Sequence, residues 1–246
     1  MSEILVIQTE VGGVGGYVYR PDESPAALEA SKLFGELTKT VKRYCNKHGY
    51  DYQKITEYPK DVDILFFNKS TKTEEHDYSQ GGKNKCSTLI RYLNMYNPDY
   101  RVIITLDNDI WIPEWAEPLP EVTGHMGVED KGKSWNNFKN HHPIPFGKFI
   151  NGGVQMVDQK AGQSLSKFVR RKCEHKILPI IHTDQAYMNE WRSRNLPSSY
   201  ILDKKWNYMV DCYPRTQDYS KYNFIHYAGW KGRSYLIEDY KNGIIK

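Results

Sequence analysis

The chain has 246 residues, 39% hydrophobic and 26% charged, with a formal charge of +4; this suits one large α/β domain with enough core to stand without disulfide or metal staples. The mild basic excess fits an anionic ligand without requiring a nucleic acid. Four cysteines (Cys45, Cys86, Cys173, Cys212) lie far apart with no CxxC pair, which argues against a zinc module or a disulfide framework; together with the lack of an apolar run long enough to span a bilayer, this gives the expectation of a cytoplasmic protein with no transmembrane segment.

Short β runs alternate with helical periods. Ile4-Leu-Val-Ile7 is a first strand, followed by a Gly-rich loop from Gln8 to Arg20. Ser24-Pro25 starts a helix, with Leu33, Leu37, Val41, Tyr44 and His48 on its apolar period and Gly49 at its end. Asp63-Ile-Leu-Phe-Phe67 reads as the second strand, and Cys86, Leu89, Ile90 and Leu93 as a helix closed by Asn97-Pro98. Val102 to Leu106 is the third strand. Gly124 to Val128 and Gly153 to Val157 are short strands; helices follow from about Ala161 to Cys173 and from Thr183, a plausible N-cap. Lys131 to Lys148 reads as a long polar loop, of the sort that usually serves function.

Asp107-Asn108-Asp109 follows the apolar third strand directly. Ligands of open α/β sheets bind at the carboxyl edge, and residues two apart in an extended segment point the same way. Two carboxylates there suit a hard divalent cation that bridges to diphosphate oxygens. A bare Asp-x-Asp is a weak pattern; its position between the apolar strand and Ile110-Trp111-Ile112 strengthens it.

Further elements follow in order: Lys85 ahead of the helix that leads to the Asp107 strand, Phe149-Ile-Asn-Gly-Gly-Val-Gln-Met-Val-Asp158, Thr183-Asp-Gln185, Lys204-Lys-Trp-Asn-Tyr-Met209 and Ile225-His-Tyr-Ala-Gly-Trp-Lys231. With Asp107-Asn-Asp109 they make the chain resemble the GT-A-fold glycosyltransferases, nearest to the retaining glycosyltransferase family 8 (glycogenin-like and lipooligosaccharide galactosyltransferases). The resemblance covers most of the chain. It implies a single domain over 1–246: a Rossmann-like mixed central sheet flanked by helices, with a nucleotide-binding half of about 1–112 and a sugar and acceptor half of about 113–246. It also implies His226 as a third metal ligand beside Asp107 and Asp109, and an imidazole among carboxylates favours Mn²⁺, with Mg²⁺ the alternative. Donor contacts fall on Gln8, Thr9, Lys85, Asn108, Gly152, Gly153, Gly229, Trp230 and Lys231, and catalytic roles on Asn151, Asp184 and Gln185. Only Trp230 stands between Gly229 and Lys231 where the family has two residues, which leaves Arg233 as an alternative phosphate partner.

The implied reaction moves a sugar from a nucleotide sugar, a UDP-sugar by preference, to an acceptor hydroxyl with retention; the acceptor is a glycan or lipopolysaccharide, a protein or a hydroxymethylated DNA base. An inverting transferase needs a carboxylate base, for which Asp184, Asp130 and Glu129 are candidates. A non-catalytic nucleotide-sugar or DNA-binding module of the same fold is a further alternative. The Gly12-Gly-Val-Gly-Gly16 loop lacks the third glycine of a dinucleotide fingerprint, with Val18 in its place. Lys167, Arg170, Arg171, Lys172 and Lys176 form a basic helix face, solvated in the simplest reading and a contact for DNA or a peripheral membrane surface in the other. A microbial cytoplasm, or a host cytoplasm for a viral protein, is the expected setting.

Overall fold

The computed structural model describes residues 2–10, 25–57, 90–131, 148–174, 183–195, 199–216 and 218–245. Strand β1 (Ile4–Thr9) pairs in parallel with β2 (Asp51–Ile55) on one side and β3 (Val102–Leu106) on the other. β6 (Ile150–Asp158) runs antiparallel to both β3 and β5 (His125–Glu129), and β7 (Ser199–Leu202) closes the far edge in parallel with β5. The sheet order is β2-β1-β3-β6-β5-β7.

Period-two alternation sends side chains to two cores. Leu5, Ile7, Ile103, Ile150 and Val157 pack under helices α2 (Gln159–Glu174) and α3 (Thr183–Arg194) against Leu165, Val169, Tyr187, Met188 and Trp191. Val6, Val102, Ile104, Leu106, Val154 and Met156 face the other way, toward Val41, Tyr44 and Cys45 of α1 (Pro25–His48). α1 starts on Pro25, whose missing N–H costs nothing at a first helical position, and ends at Gly49 in the left-handed region, φ +71°. A second, three-stranded sheet, β4 (Ile110–Trp111), β9 (Ile225–His226) and β8 (Tyr208–Met209), packs against α1 and α4 (Gly229–Lys241).

Three features differ from the sequence expectation. β2 is polar and half exposed at the sheet's edge, so it carries no apolar run to announce it. The expected strand Asp63–Phe67 lies outside the described residues. β6 begins at Ile150, three residues ahead of the expected start at Gly153. The extension is held by side chains and by its neighbour: Asn189 brackets Ile150, accepting from its N–H at 2.8 Å and donating to its carbonyl at 2.9 Å, and the Gly153 carbonyl accepts from Asp107 N–H at 2.8 Å. The stretch 199–209, where no strand was expected, holds β7, a 3-10 turn (Lys204–Trp206) and β8. Among the described residues no helix is long and apolar enough to cross a membrane.

Candidate active site

β3 ends at Leu106 and the chain turns through Asp107, Asn108 and Asp109 into β4. The turn is pinned from several sides. Asn108 Nδ2 donates to the Thr9 carbonyl at 2.8 Å, Gln8 Nε2 to the Asp107 carbonyl at 3.1 Å, and Tyr227 N–H to the Asp109 carbonyl at 3.0 Å. Gln8 is itself held by the Tyr52 hydroxyl at 3.0 Å. Gln8, Thr9 and Asn108, expected as donor contacts, thus brace the turn at the carboxyl edge of β1 and β3.

The antiparallel pairing of β4 with β9 sets Ile110 opposite His226, and this register brings an imidazole from late in the chain onto the two aspartates. His226 Nε2 lies 3.1 Å from Asp109 Oδ1 and 3.6 Å from Asp107 Oδ2, and one ligand atom from each residue lies within 4.8 Å of the others. Neighbouring ligands around one ion of ~2.1 Å bond length stand about 3 Å apart, so the three residues fit a divalent cation. Asp109 Oδ1 is buried with His226 Nε2 beside it at 3.1 Å, and a buried carboxylate oxygen facing a neutral imidazole's lone pair is costly unless a cation lies between them. His226, 2% exposed, accepts no donor at Nδ1; that nitrogen faces Asn207 Oδ1 at 3.0 Å and so carries the proton, which leaves the Nε2 lone pair for a metal. A Cβ on Gly153 would lie 2.5 Å from His226 Nδ1, so only glycine lets the ring sit there.

The electrostatics agree. Burial alone would lower the pKa of His226, but the charges of Asp109, Asp107 and Asp211 outweigh it and hold the pKa above its usual value. Burial would raise that of Asp109; His226 and Arg233 pull it below the ordinary carboxylate range. Arg91, 3% exposed, bonds Asp107 Oδ1 and lies over the Tyr92 ring. The sequence reading placed the basic partner at Lys85, which lies outside the described residues. Arg91 was missed because it sits inside an apolar helical period, between Ile90 and Leu93; a lone cation in that phase was the available signal.

On the sugar side, a chain of amides runs away from His226. Asn207 Nδ2 donates to Asn151 Oδ1 at 2.9 Å, Gly153 N–H donates to the same oxygen at 2.8 Å, and Asn151 Nδ2 donates to Asp130 Oδ2 at 3.3 Å. Gln185 Nε2 also donates to Asp130 Oδ2, at 2.7 Å, while its Oε1 accepts from Gly152 N–H at 2.9 Å. A Cβ on Gly152 would lie 3.1 Å from the Arg91 guanidinium and 3.4 Å from Gln185 Oε1. Asn151, Gly152, Gly153 and Gln185 are therefore one connected group with Asp130 at its centre; the sequence reading weighed Asp130 only as a base. The side chains of Asp184 and Trp230 lie outside the described residues.

Gly229, at φ +67°, opens α4, whose N-cap Ala228 supplies no side-chain cap. Asp211 Oδ2 would lie 3.2 Å from a Cβ there, and burial raises the pKa of Asp211. Lys231 is exposed with its ammonium 5.5 Å from the Tyr235 ring centre, whereas Arg233 is close enough to act on Asp109.

No protein-family model matches the chain, and no curated protein matches it in sequence. Solved structures do. A glycosyltransferase involved in glycosylation of the major capsid of PBCV-1 superposes with a TM-score of 0.57 at 14% identity, over 96% of this chain and 98% of that one. The galactosyltransferase LgtC, solved with donor and acceptor sugar analogues, superposes with a TM-score of 0.50 at 11% identity, over 95% and 94%. The bifunctional glycosyltransferase WbbM superposes with a TM-score of 0.54 at 15% identity, over 97% of this chain and 49% of WbbM. The chain has the fold of the GT-A glycosyltransferases, a mixed central sheet flanked by helices.

Proposed function

We propose that the protein is a metal-dependent glycosyltransferase that moves a sugar from a nucleotide sugar, by preference a UDP-sugar, to a glycan hydroxyl with retention. The observation that carries this reading is the Asp107–Asp109–His226 group, with Asp109 and His226 buried, at the carboxyl edge of β1 and β3 in a GT-A sheet. These three side chains would hold Mn²⁺, the imidazole favouring it over Mg²⁺. When bound, the metal supplies Lewis-acid stabilisation of the leaving diphosphate.

The chain's own residues do the rest. The first turn of α4 offers uncapped N–H groups and Arg233 a positive charge to the phosphates. Arg91 and the amides of Asn151, Gly152 and Gln185 line the side where the sugar would lie. Asp130 Oδ2 already accepts from two amides, which suits a carboxylate that anchors amides and, through them, a sugar better than one that removes a proton. With Asp130 in that role, the leaving phosphate oxygen would take the proton of the incoming hydroxyl, and that is front-face, retaining transfer. LgtC, solved with donor and acceptor sugar analogues, and the capsid-glycosylating enzyme support a glycan acceptor.

The test is release of nucleoside diphosphate from a panel of nucleotide sugars with Mn²⁺, with EDTA, and with Asp109→Ala. EDTA is expected to abolish release, Mn²⁺ to restore it, and Asp109→Ala to lower it about 100-fold or more. Full activity in EDTA would overturn the metal reading, and an inverted product by NMR would overturn retention.

A further inference from the structure

Asp239, fully buried in α4, gathers four hydrogen bonds. Its Oδ2 accepts from the hydroxyls of Tyr219 and Tyr227, each at 2.8 Å, and from Arg215 Nη1 at 3.0 Å; Arg215 Nη2 bonds its Oδ1. The Arg215 guanidinium is also held 4.3 Å from the Tyr235 ring centre. The groups come from the segment after β8, from the residue after β9, and from α4.

Tyr227 is the link to the metal site. It follows His226 directly. Its N–H donates to the Asp109 carbonyl at 3.0 Å, and a Cβ on Gly232 would lie 2.5 Å from its carbonyl carbon, so the first turn of α4 rests on the same peptide. One residue thus touches the backbone of two ligand-bearing positions while its hydroxyl is tied to Asp239. A buried ion pair adds little net stability over apolar packing, and what it supplies is a fixed geometry.

We propose that Tyr227 and Asp239 are positioning residues for the metal site, setting His226 and the Asp109 peptide in ligating geometry from outside the ligand shell. The inference rests on the metal reading of Asp107, Asp109 and His226.

Tyr219 provides the internal control, because it donates to the same oxygen of Asp239 without adjoining a ligand. In the full chain, Mn²⁺ affinity is measured from the EPR signal of free Mn²⁺, and thermal melts are run in EDTA. Tyr227→Phe and Tyr219→Phe each remove one hydroxyl and are expected to lower the melting temperature, Tyr219→Phe at least as much because its oxygen also accepts from Arg215. Tyr227→Phe is expected to raise the Mn²⁺ Kd about tenfold, with Tyr219→Phe staying within about twofold of wild type. Arg215→Lys keeps the charge but loses the paired contact, and serves as a second variant with a smaller shift in the same direction. An unchanged Kd in Tyr227→Phe, or an equal rise in Tyr219→Phe, overturns the proposal. A wild-type chain that binds no Mn²⁺ overturns the metal reading itself, a result distinct from either.

Discussion

A methyl group added at Gly153 would lie 2.5 Å from His226 Nδ1 and 2.9 Å from Asn151 Oδ1. Gly153→Ala must therefore displace the imidazole or bend β6, at a stability cost of about 1–3 kcal/mol. The first response separates His226 from Asp109; the second pulls on the Asp107 N–H that the Gly153 carbonyl holds. The expected outcome is a folded variant whose melting temperature no longer rises on addition of Mn²⁺, while the wild type gains about 2.7 kcal/mol at a hundred times its Kd. A variant that keeps the wild-type Mn²⁺ response would show that the ring has room to spare. At this scale the sequence was informative where a side chain had one job. Asp107 and Asp109 stood out because two carboxylates after an apolar strand have few structural uses. Arg91 and Asp130 did not, because a cation inside an apolar period and an acid ahead of a polar loop look the same whether or not they meet a partner from a distant segment.

The elements around the site are tied by a second polar chain that reaches β6 from the opposite side. Arg192 Nε donates to Ser199 Oγ at 2.8 Å, Ser199 Oγ meets His125 Nδ1 at 3.0 Å, His125 Nε2 bonds Gln155 Oε1, and Gln155 Nε2 bonds the Asn151 carbonyl. With Nε2 donating to Gln155, Nδ1 can accept from the Ser199 hydroxyl, the arrangement of a neutral ring. Burial first, and the charge of Arg192 as well, push its pKa down from 6.5 to about 4 against the opposing bond to Gln155. The unfolded chain then takes up a proton that the folded one refuses. The resulting stability is complete above 6.5 and is lost as pH falls toward 4, a change on the order of 3 kcal/mol. Denaturant unfolding at neutral and acid pH should show that loss in the wild type and a shallower one in His125→Gln; parallel slopes would assign the acid sensitivity elsewhere. The elements themselves were legible in proportion to their burial. β1, β3 and α1 announced themselves because their apolar period is uninterrupted. The edge strands β2 and β7 did not, since only one residue of each is fully buried. The amino-terminal part of β6 was hidden because its backbone is secured by Asn189 and Asp107, partners no local window contains.

Across the whole molecule, the site depends on two registers rather than on one motif: β1 with β3 sets the carboxyl edge, and β4 with β9 delivers His226 to it. Registers are fixed by hydrophobic pattern and turn geometry, which many sequences satisfy, so the fold matches solved glycosyltransferases over nearly the full chain at 14% identity or thereabouts. What the folded chain concentrates at that edge is charge. Asp107, Asp109 and Asp211 act on one imidazole, and their sum keeps His226 protonated above its ordinary 6.5 despite burial. In the metal-free protein that proton is stabilising: its contribution is complete below the unfolded value of 6.5 and disappears as pH rises through the raised folded value. A cation bound at Nε2 needs the neutral ring, so it must displace the same proton. The two effects run in opposite directions with pH. Melts in EDTA should lose the His226 contribution as pH is raised from below 6.5 through the raised folded value, while the Mn²⁺-induced increment grows over the same range and then levels. His226→Gln should remove both dependences, since the amide does not titrate. An Mn²⁺ increment that is flat across that range in the wild type would mean that the imidazole is not a ligand, and the two aspartates would have to hold the metal without it.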